Sequence, residues 1–87
     1  MMGKEERVLT REEAIREETR RIRRLQISIR LAMDVISQSD MSFEDASRMV
    51  AATRRLALSL FPGKDRAYDL IYRPRLQRLM VQKYRLQ

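Results

Sequence analysis

The residues best suited by type and spacing to acid–base chemistry are two pairs of carboxylates, Glu13 with Glu17 and Asp65 with Asp69. Side chains four residues apart lie on one face of a helix, where one carboxylate could act as an acid and the other as a base. Such roles require an apolar enclosure that separates the two pKa values. Both pairs instead have arginines within one helical turn, and the neighbouring sequence predicts no enclosure. We therefore predict no catalytic residue and no enzymatic activity.

Other residue types that carry chemistry are missing from the sequence or sit in the wrong context. The chain has no histidine and no cysteine, which removes the usual general base, the thiolate nucleophile and nearly every transition-metal site. It also lacks the glycine-rich motifs that hold phosphates. Asp34 lies in the apolar stretch LAMDVI, but Arg30 precedes it by four residues, which predicts a structural ion pair. We expect no metal, no cofactor and no small-molecule substrate.

The C-terminal region combines cations with aromatic residues. From Leu70 to Gln87 there are five Arg or Lys and no acid, and Tyr68, Tyr72 and Tyr84 are interleaved with them. Helical spacing puts part of this set on one stripe, Arg75, Arg78 and Arg85, with Arg73 alongside. Arginine and aromatic groups together are typical of surfaces that bind nucleic acid. Two plainer interpretations stay open: a solvated helix face, and tyrosines at the rim of a core.

The overall charge does not decide between these interpretations. A net charge of +7 favours an anionic partner, yet an excess of arginine can equally reflect genome composition. A helix-turn-helix is disfavoured, because the connection FPGK is not a tight turn and the helix after it is short. Nucleic-acid binding, to DNA or to structured or ribosomal RNA, is therefore the alternative function.

Cap motifs and breakers predict the helices that must position these residues. Thr10 begins the capping box TREE, so a first helix should start there and continue to Ser39, leaving residues 1–9 as a flexible tail. Ser42 begins a second box, SFED, and FPGK ends that second helix after Leu60. A two-residue turn at Ser39 and Asp40 implies an antiparallel helical hairpin.

Pro74 predicts an interruption in the C-terminal region. Proline removes one backbone donor and disfavours helical dihedrals at the residue before it, here Arg73. It is well tolerated in the first turn of a new helix. We therefore predict a short helix over 65–72 and a last helix over 74–86.

The first helix carries two apolar stripes on nearly opposite sides. One contains Ile15, Ile22, Ile29 and Ile36 at seven-residue spacing, and the other contains Ile27, Leu31 and Val35. The second helix can cover only one stripe, so either the C-terminal segment or another chain must cover the other. Beyond the end of the second helix, Ile15 and Ile22 form a narrow heptad seam of the coiled-coil kind. The predicted interface with a second copy or a partner is Ile15, Ile22, Ile27, Leu31 and Val35.

These observations predict an all-α protein with a single helical domain over residues 10–87. Its architecture is a long antiparallel hairpin followed by two short helices that fold back on the first, in a small bundle that self-associates, most simply as a homodimer. The function we predict is a non-enzymatic module for protein–protein interaction or assembly, with itself or another helical protein as partner. The longest charge-free stretch is far below the roughly 20 residues that a spanning helix needs, so we expect a cytoplasmic protein without membrane contact.

Overall fold

The structure, a computed structural model, describes residues 9–85. Helix α1 spans Arg11–Gln38, as the capping box predicts. The Thr10 hydroxyl accepts a hydrogen bond from the Glu13 amide at 3.1 Å, and the Glu13 carboxylate accepts one from the Thr10 amide at 2.9 Å. The predicted tail over residues 1–9 lies outside the described residues except for Leu9, which is exposed.

Helix α2 spans Phe43–Leu60 and packs against α1. The Ser42 hydroxyl accepts from the Asp45 amide at 3.1 Å, but only half of the predicted box forms, because the Asp45 carboxylate pairs with Arg48 instead. The chain leaves α2 through Gly63, whose φ of +79° lies in the left-handed region that glycine adopts without strain. The predicted helical hairpin is thus present.

Helix α3 spans Asp65–Ile71 and helix α4 spans Arg73–Tyr84. The interruption between them is one residue, Tyr72, which itself has right-handed helical dihedrals. Arg73 is the first residue of α4, so our expectation that it leaves the helical region is wrong. Pro74 follows it within the first turn, where the missing amide costs no helical bond. The predicted contribution of Leu86 to this helix lies outside the described residues.

The core lies along one side of α1, where the other three helices meet. Ile29, Ile36 and Leu76 are the largest side chains that are completely buried. At the α1–α2 contact the buried residues of α2 are small, which lets the two helices approach closely: Ala46, Thr53 and Ala57. One cluster joins Leu25 and Ile29 to Tyr68 and Leu76, and a second joins Ile36 to Ala46 and Met80.

Side chains near the end of α4 close the turn between α1 and α2. The Lys83 ammonium donates to the carbonyl of Ser39 at 2.6 Å and to that of Ser37 at 3.4 Å. The Tyr84 hydroxyl donates to the carbonyl of Met41 at 2.7 Å, and its ring meets Phe43 edge to face. The last turn of α1 has no basic residue of its own, so Lys83 supplies the cation that the helix C-terminus favours.

The C-terminal helices do not cover the second apolar stripe of α1. Tyr68, Leu76 and Met80 all pack on the Leu25–Ile36 side, together with α2, whereas Ile27, Leu31 and Val35 stay exposed. The expectation that the C-terminal segment shields this stripe is therefore wrong for the single chain. The remaining possibility, that another chain covers it, stays a prediction.

Within residues 9–85, no helix is both long enough and apolar enough to span a bilayer.

Candidate interaction surfaces

The exposed stripe of α1 forms one wall of an apolar groove along the hairpin, on the side away from α4. Ile27 is 53% exposed, Leu31 59% and Val35 39%, and Leu56 of α2 is 39% exposed. The groove has a volume of about 310 Å³, and no charged side chain lines it; its lining residues are Ser28, Leu31, Ala32, Val35, Met49, Ala52, Thr53 and Leu56. We call this set, with Ile27 at its end, the open groove.

The structure separates the five residues of the predicted interface. Three of them, Ile27, Leu31 and Val35, follow the open groove. Ile22 instead borders a hollow between α1 and α3 that Phe61 and Ile71 also line. Ile15 lies on the part of α1 that extends beyond α2, on a surface that it shares with Ile27. The heptad seam of Ile15 and Ile22 is exposed and remains a prediction.

The contribution of α2 to the open groove was missed. Helical spacing puts Met49 and Leu56 on one wide apolar face of the second helix and predicts that this helix packs on that side only, but Leu56 is exposed and Met49 is only half-buried. Ala52, which that predicted face does not include, is exposed as well. The signal was the width of that face, since a single neighbouring helix covers a narrower strip than these residues span. Met49 and Leu56 therefore extend the open groove onto the second helix.

Arginines flank the end of the open groove that lies toward the N-terminus of α1. Four of them line one surface around Ile27: Arg16, Arg20, Arg23 and Arg24.

Two ion pairs form within this part of α1. Arg20 donates to Glu17 at 2.9 Å, and Arg21 donates to Glu18 at 3.4 Å. Both pairs join residues three positions apart within α1. Both partners are largely exposed, so such pairs stabilise the helix only weakly.

The predicted basic stripe of α4 is only partly assembled. Arg75 and Arg78 are exposed on one side of α4, whereas Arg85, also exposed, follows the last helical residue and has a left-handed φ of +56°. Within residues 9–85 the side chains of these three arginines form no ion pair. Arg73 lies on the other side, by helical spacing, and acts electrostatically on Asp69 of α3. Arg75 also lines a polar cleft between α1 and α4, which Arg30, Asp34 and Tyr72 border. Arg30 is thus a cation near this stripe that the sequence did not indicate.

The carboxylates that have acid–base spacing in the sequence take part in ion pairs and helix N-termini in the structure. Asp69 accepts two hydrogen bonds from the Arg54 guanidinium, at 2.9 and 3.0 Å, which joins α3 to α2. This contact, with a smaller electrostatic contribution from Arg73, lowers the pKa of Asp69, and the same hydrogen bonding raises the pKa of Arg54. Asp65 is the first residue of α3, and Glu13 belongs to the cap of α1.

The remaining acidic residues assemble no ligand set within the described part of the chain. Asp34 does not form the predicted ion pair with Arg30 there. No group of three or more metal-ligating side chains comes together among residues 9–85.

The tyrosines differ in their surroundings. Tyr68 is 5% exposed, so it belongs to the core and not to the rim that the sequence favoured, and burial raises the pKa of its hydroxyl. Tyr72 packs against it with a ring-centroid distance of 5.7 Å. Tyr84 is held by its hydrogen bond to Met41. Tyr68 and Tyr84 are therefore not free stacking platforms, whereas Tyr72 borders the polar cleft that Arg75 also lines.

Comparison of the chain with protein-family models, with curated proteins and with solved structures finds no match. The surfaces described above are therefore the basis for a functional conclusion.

Proposed function

We propose that this protein is a non-enzymatic interaction and assembly module that binds a helix along its open groove. The helix belongs to a second copy of the chain or to another helical protein. The observation that carries the proposal is the exposure of Ile27, Leu31 and Val35 beside Leu56, on two helices that the core holds in place. Covering such a surface removes apolar area from water, which is worth about 25 cal/mol per Å².

Packing geometry supports a helix as the occupant. The apolar residues of α1 recur at i, i+4 and i+8, and those of α2 run beside them, so the open groove is a trough parallel to both helices. A helix with apolar residues on one face fits such a trough by ridge-into-groove packing. On the other side of the hairpin, α4 already packs in this way through Leu76 and Met80.

The test is the mass of the purified particle by light scattering at several concentrations, after mild purification that retains partners. We expect a mass above the 10.4 kDa of one chain for the natural sequence. Leu31→Glu should reduce it to one chain, because a carboxylate in the open groove opposes burial. The matched control is Leu70→Glu, since Leu70 is 72% exposed on α3 and lies outside the open groove. A single-chain mass for the natural sequence at every concentration would overturn the proposal.

A second candidate function is nucleic-acid binding through α4. It is favoured by the exposure of Arg75, Arg78 and Arg85 and by the lack of acids in α4. Because Arg73 lies on the other side of α4, three phosphate contacts are available, and log K should fall with log salt at a slope of about −3. Replacing Arg75, Arg78 and Arg85 with Gln should abolish most of this binding and leave the particle mass unchanged. A binding constant for nucleic acid that changes neither with salt concentration nor with the replacement of the three arginines would exclude this function.

A further inference from the structure

We infer that the occupant of the open groove is a second copy of this chain, related by a twofold axis near Leu31 so that the two α1 helices run antiparallel. This inference rests on the proposed function, because it names the occupant of the same site. Three features support it: the charge pattern along the hairpin, the symmetry of the apolar stripe and the area available.

The charge of the hairpin changes sign along its length. Residues 16–30 contain six arginines and two glutamates, a net charge of +4, whereas residues 34–48 contain four acids and one arginine, a net charge of −3. The acidic end surrounds the turn and includes Asp40, Glu44 and Asp45, all of which are exposed. An antiparallel second copy lays the basic end of each chain over the acidic end of the other. A parallel copy would instead place like charges together.

The existing ion pairs at the two ends do not prevent this arrangement. Arg20 is bonded to Glu17, and Asp45 is bonded to Arg48 at 2.5 Å. Both are pairs between exposed side chains within one helix, and such pairs contribute little free energy. Arg23 and Arg24 form no ion pair within residues 9–85 and flank Ile27 directly. Cations are therefore available at the basic end of the open groove.

The apolar stripe is symmetric about Leu31. Ile27 and Val35 lie four residues on either side of it, and Arg24 and Gln38 lie seven residues on either side, on the same face of α1. A twofold axis through Leu31 therefore places Ile27 opposite Val35 of the other copy, and Arg24 opposite Gln38. A twofold interface must be complementary to itself, and this surface has an apolar centre with ends of opposite charge.

The available area matches a weak but specific dimer. The groove face is about as long as α2, whose 18 residues span about 27 Å, and no wider than the 18–22 Å of the molecule's shorter extents. That gives about 500–600 Å² per copy, or about 1,000–1,200 Å² in the pair, at the lower limit for specific interfaces. We therefore expect a dimer that dissociates on dilution, with a dissociation constant on the order of micromolar.

The test uses single cysteines, because the natural chain has none. Arg24→Cys and Gln38→Cys chains are prepared separately and then mixed with a short bismaleimide cross-linker; Leu70→Cys is the matched exposed control. We expect the mixture to give a covalent 24–38 dimer, at least about tenfold more abundant than 24–24, 38–38 or any product of the control. Dominant 24–24 and 38–38 products would indicate parallel chains and overturn the inference.

Charge reversal provides a second readout that does not depend on cross-linking. A chain with Arg20→Glu and Arg24→Glu should dimerise about tenfold more weakly, and so should a chain with Glu44→Lys and Asp45→Lys. A mixture of the two variants should recover dimer formation, because the heterodimer pairs opposite charges at both ends. All substituted residues are exposed, and circular dichroism checks that the helices persist. Reversal without effect on the dimer would also overturn the inference.

These results also separate the inference from the proposed function. If the mass exceeds one chain and depends on Leu31 but no cross-linked dimer of any kind forms, the occupant is another protein: the inference fails and the interaction module stands. If the natural chain has the mass of one chain at every concentration, both fail.

Discussion

At the scale of single residues, Tyr68 and Tyr84 show opposite solutions for a tyrosine that packs against a core. The Tyr84 hydroxyl donates to the Met41 carbonyl at 2.7 Å. The Tyr68 hydroxyl is buried and has no hydrogen-bond partner among the described residues. A buried donor without a partner carries the full cost of its desolvation, whereas a satisfied one stabilises the fold modestly. The same substitution should therefore have opposite effects at the two positions.

We expect Tyr84→Phe to lower the free energy of unfolding by about 1 kcal/mol, because the hydrogen bond to Met41 is lost. Tyr68→Phe should raise it, by up to about 1 kcal/mol, because the ring stays and the unpaired hydroxyl is removed. Urea unfolding followed by circular dichroism measures both. Tyr72→Phe is the control, since the Tyr72 hydroxyl forms no hydrogen bond within residues 9–85. If Tyr68→Phe and Tyr84→Phe lowered the free energy of unfolding equally, this account would be contradicted.

The ion pair of Arg54 and Asp69 should make stability depend on pH. The hydrogen bonds from Arg54 lower the pKa of Asp69 in the folded state. A lowered carboxylate pKa adds stability that is complete above the unfolded value of about 3.9 and is lost as pH falls through the folded value. We expect Asp69→Asn to unfold more easily than the natural chain near pH 7 and to lose part of this difference below about pH 4. The free energy of unfolding of the two proteins is measured by urea titration at several pH values. If it falls equally in both as the pH is lowered through about 4, the ion pair does not contribute to stability.

At the scale of helices, α1 and α2 have the same kind of N-terminal cap in different surroundings. The cap of α1 at Thr10 lies on the part of the helix that extends beyond α2, and the cap of α2 at Ser42 lies in the closed turn of the hairpin. A cap residue satisfies amides that the helix leaves unpaired, typically worth about 1 kcal/mol. Whether this free energy appears in global unfolding depends on whether the helix end unfolds separately from the core.

We expect Ser42→Ala to lower the global free energy of unfolding by about 1 kcal/mol. Thr10→Ala should leave global unfolding nearly unchanged but speed hydrogen exchange of the amides in residues 12–18, because that end of α1 frays on its own. Mass spectrometry of exchanged peptides, combined with urea unfolding, measures both effects. If the two substitutions lower global stability equally, the extended end of α1 is coupled to the core and this account is wrong.

Local chemistry made the hairpin predictable from the sequence, while long-range contacts decided the rest. Thr10 and Ser42 mark helix starts through bonds to residues three positions away, so neighbouring residues sufficed. The contacts that fasten α4 to the hairpin include those of Lys83 and Tyr84, which meet carbonyls more than forty residues earlier. Such pairings leave no periodic signal.

The candidate site was predicted in part for similar reasons. The stripe of Ile27, Leu31 and Val35 follows from helical periodicity alone. The exposure of Leu56 does not follow from the sequence, because periodicity shows which residues share a face and not how much of that face a neighbour covers. The position of the break before α4 was also displaced, since a proline in the first turn of a helix removes no hydrogen bond.

At the scale of the whole molecule, the protein is elongated and its core is small. The radius of gyration is 16.7 Å, compared with about 11–12 Å for a compact domain of this length. Completely buried large side chains are limited to Ile29, Ile36 and Leu76 among the described residues. Total stability on the order of 4–13 kcal/mol is typical of such a chain length. Each core residue therefore accounts for a large fraction of it.

We expect Ile29→Ala to cost about 2–5 kcal/mol, enough to unfold a substantial fraction of the molecules at room temperature. Ile27→Ala, two residues earlier, should cost less than about 1 kcal/mol in the dissociated chain, because that side chain is 53% exposed. Urea unfolding at a concentration below the onset of association compares them. A large loss for Ile27→Ala under these conditions would mean that something already covers the open groove.

The contacts of Lys83 and Tyr84 with the turn between α1 and α2 also have a consequence in time. Synthesis proceeds from the N-terminus, so Ser39 and Met41 are added to the chain more than forty residues before their partners, Lys83 and Tyr84. Until those residues have been added, neither carbonyl can accept the hydrogen bond that it has in the finished fold, and the apolar side chains that α4 buries lack its cover. The turn between α1 and α2 therefore gains its fixed conformation only after α4 has been made.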